Sequence, residues 1–113
     1  MVAKARMICD SASLADGGKG VRFEIPTDSG LQPAFVVRHG GTVYGYLNRC
    51  AHIGIELDWQ AGEFFDDSGL YLICATHGAT YLPDSGTCIA GPCRGAQLAQ
   101  VEVCEMEGGV YLK

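Results

Sequence analysis

Apolar positions along this chain fall in short runs rather than at helical spacing. Runs of β-prone residues occupy Val21 to Ile25, Ala34 to Arg38, Thr42 to Leu47, Leu70 to Cys74, Leu98 to Met106 and Val110 to Leu112, and their length and make-up predict strands. Turn signals separate them: Asp28-Ser29-Gly30, Gly40-Gly41, Asp67-Ser68-Gly69, Asp84-Ser85-Gly86 and Gly108-Gly109, where glycine and small polar residues favour a tight reversal. Antiparallel hairpins follow. A 3.6-residue apolar period nowhere persists for the roughly 11 residues that would define a helix, so helical turns are expected to be short and local. The stretch 53–65 shows neither period. It is expected to be an ordered loop packed onto the sheets through Ile53, Ile55, Leu57, Trp59, Phe64 and Phe65, as compact functional loops are.

Length and composition narrow the class. The 113 residues, 48% of them hydrophobic, suffice for one ordinary core, and one domain over residues 1–113 is expected. Eight basic residues against 13 acidic ones leave a net charge of −5. That balance argues against binding nucleic acid through its phosphates and favours basic protein partners. No apolar run reaches membrane-spanning length, and Lys4 and Arg6 are not followed by the apolar stretch of a signal peptide, so a soluble, cytoplasmic protein is expected. Six cysteines (Cys9, Cys50, Cys74, Cys88, Cys93, Cys104) in a reducing compartment hold metal where they cluster with histidine and act as small packing residues where they do not.

Two short segments concentrate the chemistry: Cys50-Ala51-His52 and Cys74-Ala75-Thr76-His77-Gly78. Each offers one thiolate and one imidazole, so two loops can clamp a binuclear iron centre between them. Two thiolates suit one iron; two neutral imidazoles on the other lower the negative charge and raise the potential relative to an all-cysteine cluster. The same four donors also satisfy tetrahedral zinc, although structural zinc sites usually begin with two closely spaced cysteines. No Ser/His/Asp set, phosphate-binding glycine loop or dinucleotide fingerprint is present, and no catalysis by the chain itself is expected.

CxH followed by CxxH, with 21 residues (Ile53 to Ile73) between them, resembles the Rieske family. Gly78 after the second histidine and Gly91-Pro92 at the place of a third, covering loop extend the resemblance over Tyr44 to Leu98. The resemblance implies an all-β fold of three stacked antiparallel sheets, a small cluster-binding subdomain at about residues 48–96, and one [2Fe–2S] cluster per chain. It places Cys50 and Cys74 on the buried iron and His52 and His77 on the outer iron, with Pro92 in the covering loop. The outward imidazole edges would then offer an electron a short route to a partner, and the potential should fall as pH rises.

The sequence also departs from the high-potential members of that family. Ile55 and Thr76 stand where those proteins carry two extra, disulfide-bonded cysteines, and Ala79 stands where they place a serine hydroxyl against a bridging sulfur. Tyr81, seven residues after Cys74, matches a tyrosine that hydrogen-bonds a ligand cysteine; an ordinary aromatic core residue is the other reading. These features together imply a potential in the lower part of the roughly −150 to +300 mV Rieske range.

Other candidates carry simpler expectations. His39 is read as a surface turn residue, Cys88 and Cys93 as reduced packing residues flanking the third loop, Cys9 and Cys104 as core, and Trp59 as a packing anchor. Asp58, Glu63, Asp66 and Asp67 belong to a solvated loop or to a face for a basic partner. The resemblance implies a one-electron shuttle, a monomer or weak oligomer, working between a flavin-dependent reductase and an oxygenase. A fixed subunit of an oxidoreductase, comparable to the Rieske-like small subunit of nitrite reductases, and a zinc-held binding module are the alternatives.

Overall fold

Four consecutive apolar residues, Ala34 to Val37, are all fully buried, and a strand apolar on both faces must lie inside the molecule rather than at its surface. The computed structural model, which describes residues 6–51, 55–58, 60–75, 78–92 and 94–113, puts them there. The elements in chain order are β1 (Arg6–Asp10), a 3-10 turn (Ser11–Ser13), β2 (Val21–Thr27), β3 (Gly30–His39), β4 (Thr42–Leu47), β5 (Leu72–Ile73), β6 (Thr80–Tyr81), β7 (Cys88–Ala90), β8 (Gln100–Val101), β9 (Val103–Met106) and β10 (Gly109–Leu112). They form three antiparallel sheets, ordered β1-β10-β9, β2-β3-β4-β8 and β5-β6-β7. The all-β, three-sheet expectation holds.

Alternation along β3 divides the core. Phe35 and Val37 point into a large apolar cluster with Tyr46, Leu57, Phe64, Leu72, Tyr81 and Leu98, where the rings of Phe35 and Phe64 stack at 3.9 Å. Val36 points the other way, into a smaller cluster with Leu14 and Val110, joined by Ile8, Cys9 and Val103. The four-stranded sheet is thus covered on one face by the long loop and the smallest sheet, and on the other by the sheet that unites both ends of the described chain.

Several boundaries differ from expectation. β4 spans the predicted residues, whereas β2 and β3 run on to close their hairpin, with Thr27 opposite Gly30. The run from Leu98 to Met106 breaks at Glu102 into β8 and β9, which belong to different sheets. Leu70 to Cys74 shrinks to β5, and β1, β6 and β7 had no reading as strands. The two- and three-residue strands β6 and β7 are too short to show a period; they are held by the burial of Tyr81 and Cys88.

The described residues 55–58 and 60–65 after the first candidate ligand segment are held by polar groups, one of which the sequence reading left in solvent. Asp58 is buried, its side chain fully so, which corrects its assignment to a solvated or docking face. One carboxylate oxygen accepts Asn48 Nδ2–H (2.9 Å) and the other accepts Gly62 N–H (3.0 Å), while Asn48 Oδ1 accepts Leu57 N–H (2.8 Å). Glu63 and Asp67 are exposed, and Asp66 accepts hydrogen bonds from Ser68 N–H and Oγ–H in its own turn. Leu57 and Phe64 are fully buried and Ile55 and Phe65 pack against the large core, as expected; Ile53 and Trp59 lie outside the described residues.

Two further assignments change. His39 ends β3 half-buried, with its ring over Phe65 at 6.2 Å, so it is a packing residue rather than a free turn residue. Cys104 is half-buried on the side of β9 away from the small core, opposite Tyr111, whereas Cys9 packs on that core and burial pushes its thiol up.

At the far end of the molecule from the ligand loops, Arg38 grips Glu105 with two hydrogen bonds, at 2.6 and 3.0 Å, and reaches the carbonyls of Leu14 and Ser11. The Arg38 guanidinium, seconded by Ser11, holds the Glu105 carboxyl down at about 2, against an ordinary 4.5. A carboxyl with a depressed pKa stabilises the fold fully above its ordinary value and loses that contribution as pH falls through its folded value. Glu105→Gln is therefore expected to lower the urea midpoint modestly near neutrality, where the ionised carboxylate contributes, and to converge on the parent as pH falls from about 5 to about 2, so that its fall with pH is flatter.

Candidate metal centre

Cys50 follows the end of β4, and Cys74 follows β5. Both side chains are buried, at 1% and 0% exposure, within the large apolar core. Two cysteines brought from separate loops to the same end of one core are the donor set that the inner half of an iron–sulfur cluster needs. Their loops are tied by backbone bonds. Cys50 N–H donates to Ile55 O at 2.6 Å, Cys74 N–H to Ala79 O at 2.8 Å, and Gly78 N–H to Cys74 O at 2.8 Å. Ala75 N–H donates to Leu57 O at 3.0 Å, so the segment 55–58 is a crossbeam touching both ligand loops.

Tyr81 supplies the polar contact. Its hydroxyl lies 3.3 Å from Cys50 Sγ and accepts the Ala51 backbone N–H at 3.1 Å. A phenol has one hydrogen and two lone pairs; with a lone pair taken by Ala51, its proton is the group that a deprotonated Cys50 sulfur, which can only accept, would receive. The ring is also fully buried, so core packing and sulfur bonding are both true of it. The Ala51 bond had no signal in the sequence.

The third loop closes over the second. Gly91 has φ +94°, and a Cβ there would stand 2.8 Å from Ala79 Cα, so only glycine lets the loop backbone lie this close. Pro92 follows, exposed. Cys88, buried on the sheet below, donates its thiol to Ala90 O at 3.3 Å; it is a packing residue, as expected. His52, His77 and Cys93 lie outside the described residues, so the two expected imidazole donors and any role of Cys93 are outside them too. Among the described residues no group of three or more metal-ligating side chains comes together, and no helix is long and apolar enough to cross a membrane.

A family model described as the Rieske [2Fe-2S] domain matches residues 5–105. Comparison with curated proteins gives no match. Among solved structures the fold is similar to the Sphingomonas yanoikuyae B1 ferredoxin, with 23% identity and a TM-score of 0.75 over 96% of this chain and 97% of that one. It is similar also to the ferredoxin of carbazole 1,9a-dioxygenase from Nocardioides aromaticivorans IC177, with 21% identity and a TM-score of 0.71 over 97% of each chain. A third similar structure is a reduced complex between oxygenase and ferredoxin in carbazole 1,9a-dioxygenase, with 19% identity and a TM-score of 0.75 over 96% of this chain and 28% of the matched one. At these identities the likeness is one of fold.

Proposed function

The chain belongs to the Rieske [2Fe-2S] family, and from that membership we propose that it carries single electrons from a flavin-dependent reductase to an oxygenase. Family membership brings one [2Fe–2S] cluster per chain and sets the zinc-held module aside. In this reading Cys50 and Cys74 bind the inner iron and His52 and His77 the outer one, residues 1–113 form one domain, and about 48–96 form its cluster-binding part. When bound, such a cluster takes up and releases one electron. The chain's residues do the rest. The core shields both thiolates from water, the crossbeam fixes the spacing of the loops, and Tyr81 places a proton against Cys50 Sγ.

The observation that carries the reading is the depth of Cys50 and Cys74 beneath a tip of small exposed residues. Ala51, Ala75, Gly78, Gly91 and Pro92 surround the loops that hold them. Small residues at these described positions let a partner approach closely, which electron tunnelling requires. That a ferredoxin and an oxygenase–ferredoxin complex share the fold supports an oxygenase as acceptor. Cys9, Cys88 and Cys104 are thiols rather than disulfides, which fits a cytoplasmic setting.

One feature favours a second reading, a fixed subunit of an oxidoreductase. Met7, Tyr111 and Cys104 are cross-strand neighbours on the side of β1-β10-β9 away from the core, and Met106 continues the row; Met7 and Met106 are 48% and 49% exposed. A permanent apolar interface would cover such a row. Stable co-purification with a large flavoprotein would select this reading, and a monomer or weak oligomer in solution the shuttle.

Reductive titration with dithionite tests electron carriage: one electron per chain, taken up reversibly, with a rhombic EPR signal of average g below the free-electron value. Uptake of two electrons, or a colourless protein with stoichiometric zinc, would defeat the proposal. The same titration reads Tyr81. Reduction makes the cluster more negative, so a donor to sulfur stabilises the reduced form. Tyr81→Phe is expected to lower the midpoint by roughly 40 mV, from a hydrogen bond about 1 kcal/mol stronger in the reduced state. An unchanged midpoint would reduce Tyr81 to a core residue.

A further inference from the structure

The net charge of −5 hides a segregation. All 13 carboxylates lie outside three windows, 29–55, 68–83 and 85–101, which contain no Asp or Glu. Those windows hold both candidate ligand loops and the third loop that closes on them. Two arginines stand among them: Arg49, directly before Cys50, and Arg94, in the loop that Gly91 seats on Ala79. Both are exposed. Among the described residues neither is engaged by a carboxylate, whereas Arg22 is matched to Glu56 (2.7 Å) and Asp58 (3.5 Å) and Arg38 to Glu105.

Several acids close to these windows in sequence are matched or placed elsewhere. Glu56 and Asp58 are the ones matched to Arg22. Asp84 sits in the turn at the opposite end of the β6-β7 hairpin from Gly78 and Gly91. The cluster Glu105 to Glu107 belongs to the Gly40-Gly41 end, and the six residues of β4, about 20 Å of strand, lie between that end and Arg49. The molecule is 45 Å along its longest axis, several times the Debye length of about 8 Å at physiological salt, so distant charges are screened and local ones govern an approaching partner.

We infer that the tip around the cluster is a basic docking face, opposite in sign to the chain as a whole, and that it takes a redox partner presenting carboxylates around its own electron-transfer site. The inference rests on the carrier reading above and adds the polarity of the contact. Guanidinium groups suit it because they bind carboxylates in a forked geometry and shed water more readily than an ammonium. Two unmatched arginines beside small residues steer encounter and set orientation while leaving the contact weak enough to exchange.

The test uses inorganic oxidants of opposite charge. The dithionite-reduced holoprotein gives up one electron to ferricyanide, forming ferrocyanide, or one electron to cobalt(III) tris(phenanthroline), forming the cobalt(II) complex, and second-order rate constants are followed by stopped flow from about 10 to about 500 mM salt. The expected result is that the ferricyanide rate falls severalfold with salt while the cobalt rate rises, despite the negative net charge. Arg49→Glu/Arg94→Glu should invert both slopes. Glu107→Lys, at the far end, should leave both unchanged while altering net charge by the same sign that the double variant opposes. If the parent instead reacts faster with the cobalt cation at low salt, the field of the whole chain governs and the basic face is overturned, with electron carriage intact. If neither oxidant draws an electron from the reduced protein, carriage itself fails, and the docking inference with it.

Discussion

Cys74→Ala is expected to yield a colourless protein lacking both iron and sulfide, whereas Cys88→Ala, at a side chain just as deeply buried, should keep a full cluster. The contrast separates a donor from a packing residue. Cys88 spends its thiol on Ala90 O, a weak neutral bond, and its truncation removes one small group from a core, at a cost of about 1–2 kcal/mol. Cys74 heads a loop whose backbone bonds to Ala79 and Gly78 hold its side chain at the buried end of the candidate centre. Alanine there leaves three donors of four, and the family's clusters are held by four protein ligands. Since cluster binding contributes to the stability of the loops that form the site, the apo variant should also unfold at a lower temperature than the Cys88 variant. Iron and sulfide analysis with visible absorbance reads the first part and calorimetry the second. A Cys74→Ala protein that retained two irons would remove Cys74 from the ligand set.

The contrast also shows which features were legible in the sequence. Spacing marked Cys50 and Cys74 as candidate donors among six cysteines, and the fold buries both in one core; it buries Cys88 as well, so burial alone does not single them out. The four-stranded sheet was legible because its strands are long enough to show their pattern and its turns are marked by glycine; β4 was read to the residue. Of the smallest sheet only β5 was, within a longer run, since strands of two or three residues have no period, and β1, which pairs with β10 from the other end of the described chain, was not. Asp58 was misread for a physical reason. An acid in a loop is ordinarily solvated, and its partners are Asn48, ten residues earlier, the Gly62 amide and, across the sheet, Arg22. His39 was misread likewise, because its neighbour Phe65 is distant in sequence. Net charge averaged away the segregation around Arg49 and Arg94, which becomes visible once the fold shows which carboxylates are already matched.

Asp58→Ala should be among the most damaging changes at a polar residue, costing about 3 kcal/mol. The carboxylate accepts from two groups that water reaches poorly, Asn48 Nδ2–H and Gly62 N–H, and each buried donor left unmatched costs about 1–3 kcal/mol. Asp58→Asn preserves the shape but offers one acceptor oxygen for two donors, so its loss should be intermediate. Arg22→Ala removes a half-exposed cation and should cost under about 1 kcal/mol. The order of the three variants therefore distinguishes buried hydrogen bonding from ion pairing as the main contribution of Asp58. The damage should reach the centre, because Asp58 and Asn48 pin the segment whose carbonyls, Ile55 O and Leu57 O, receive Cys50 N–H and Ala75 N–H. Loosening that crossbeam frees both ligand loops at once. If the loops must part before the cluster is released, bleaching of visible absorbance at a fixed urea concentration should accelerate by roughly a hundredfold in Asp58→Ala and by only a few-fold in Arg22→Ala. Equal bleaching rates in Asp58→Ala and the parent, with global stability lowered, would mean that the ligand loops hold together without the crossbeam.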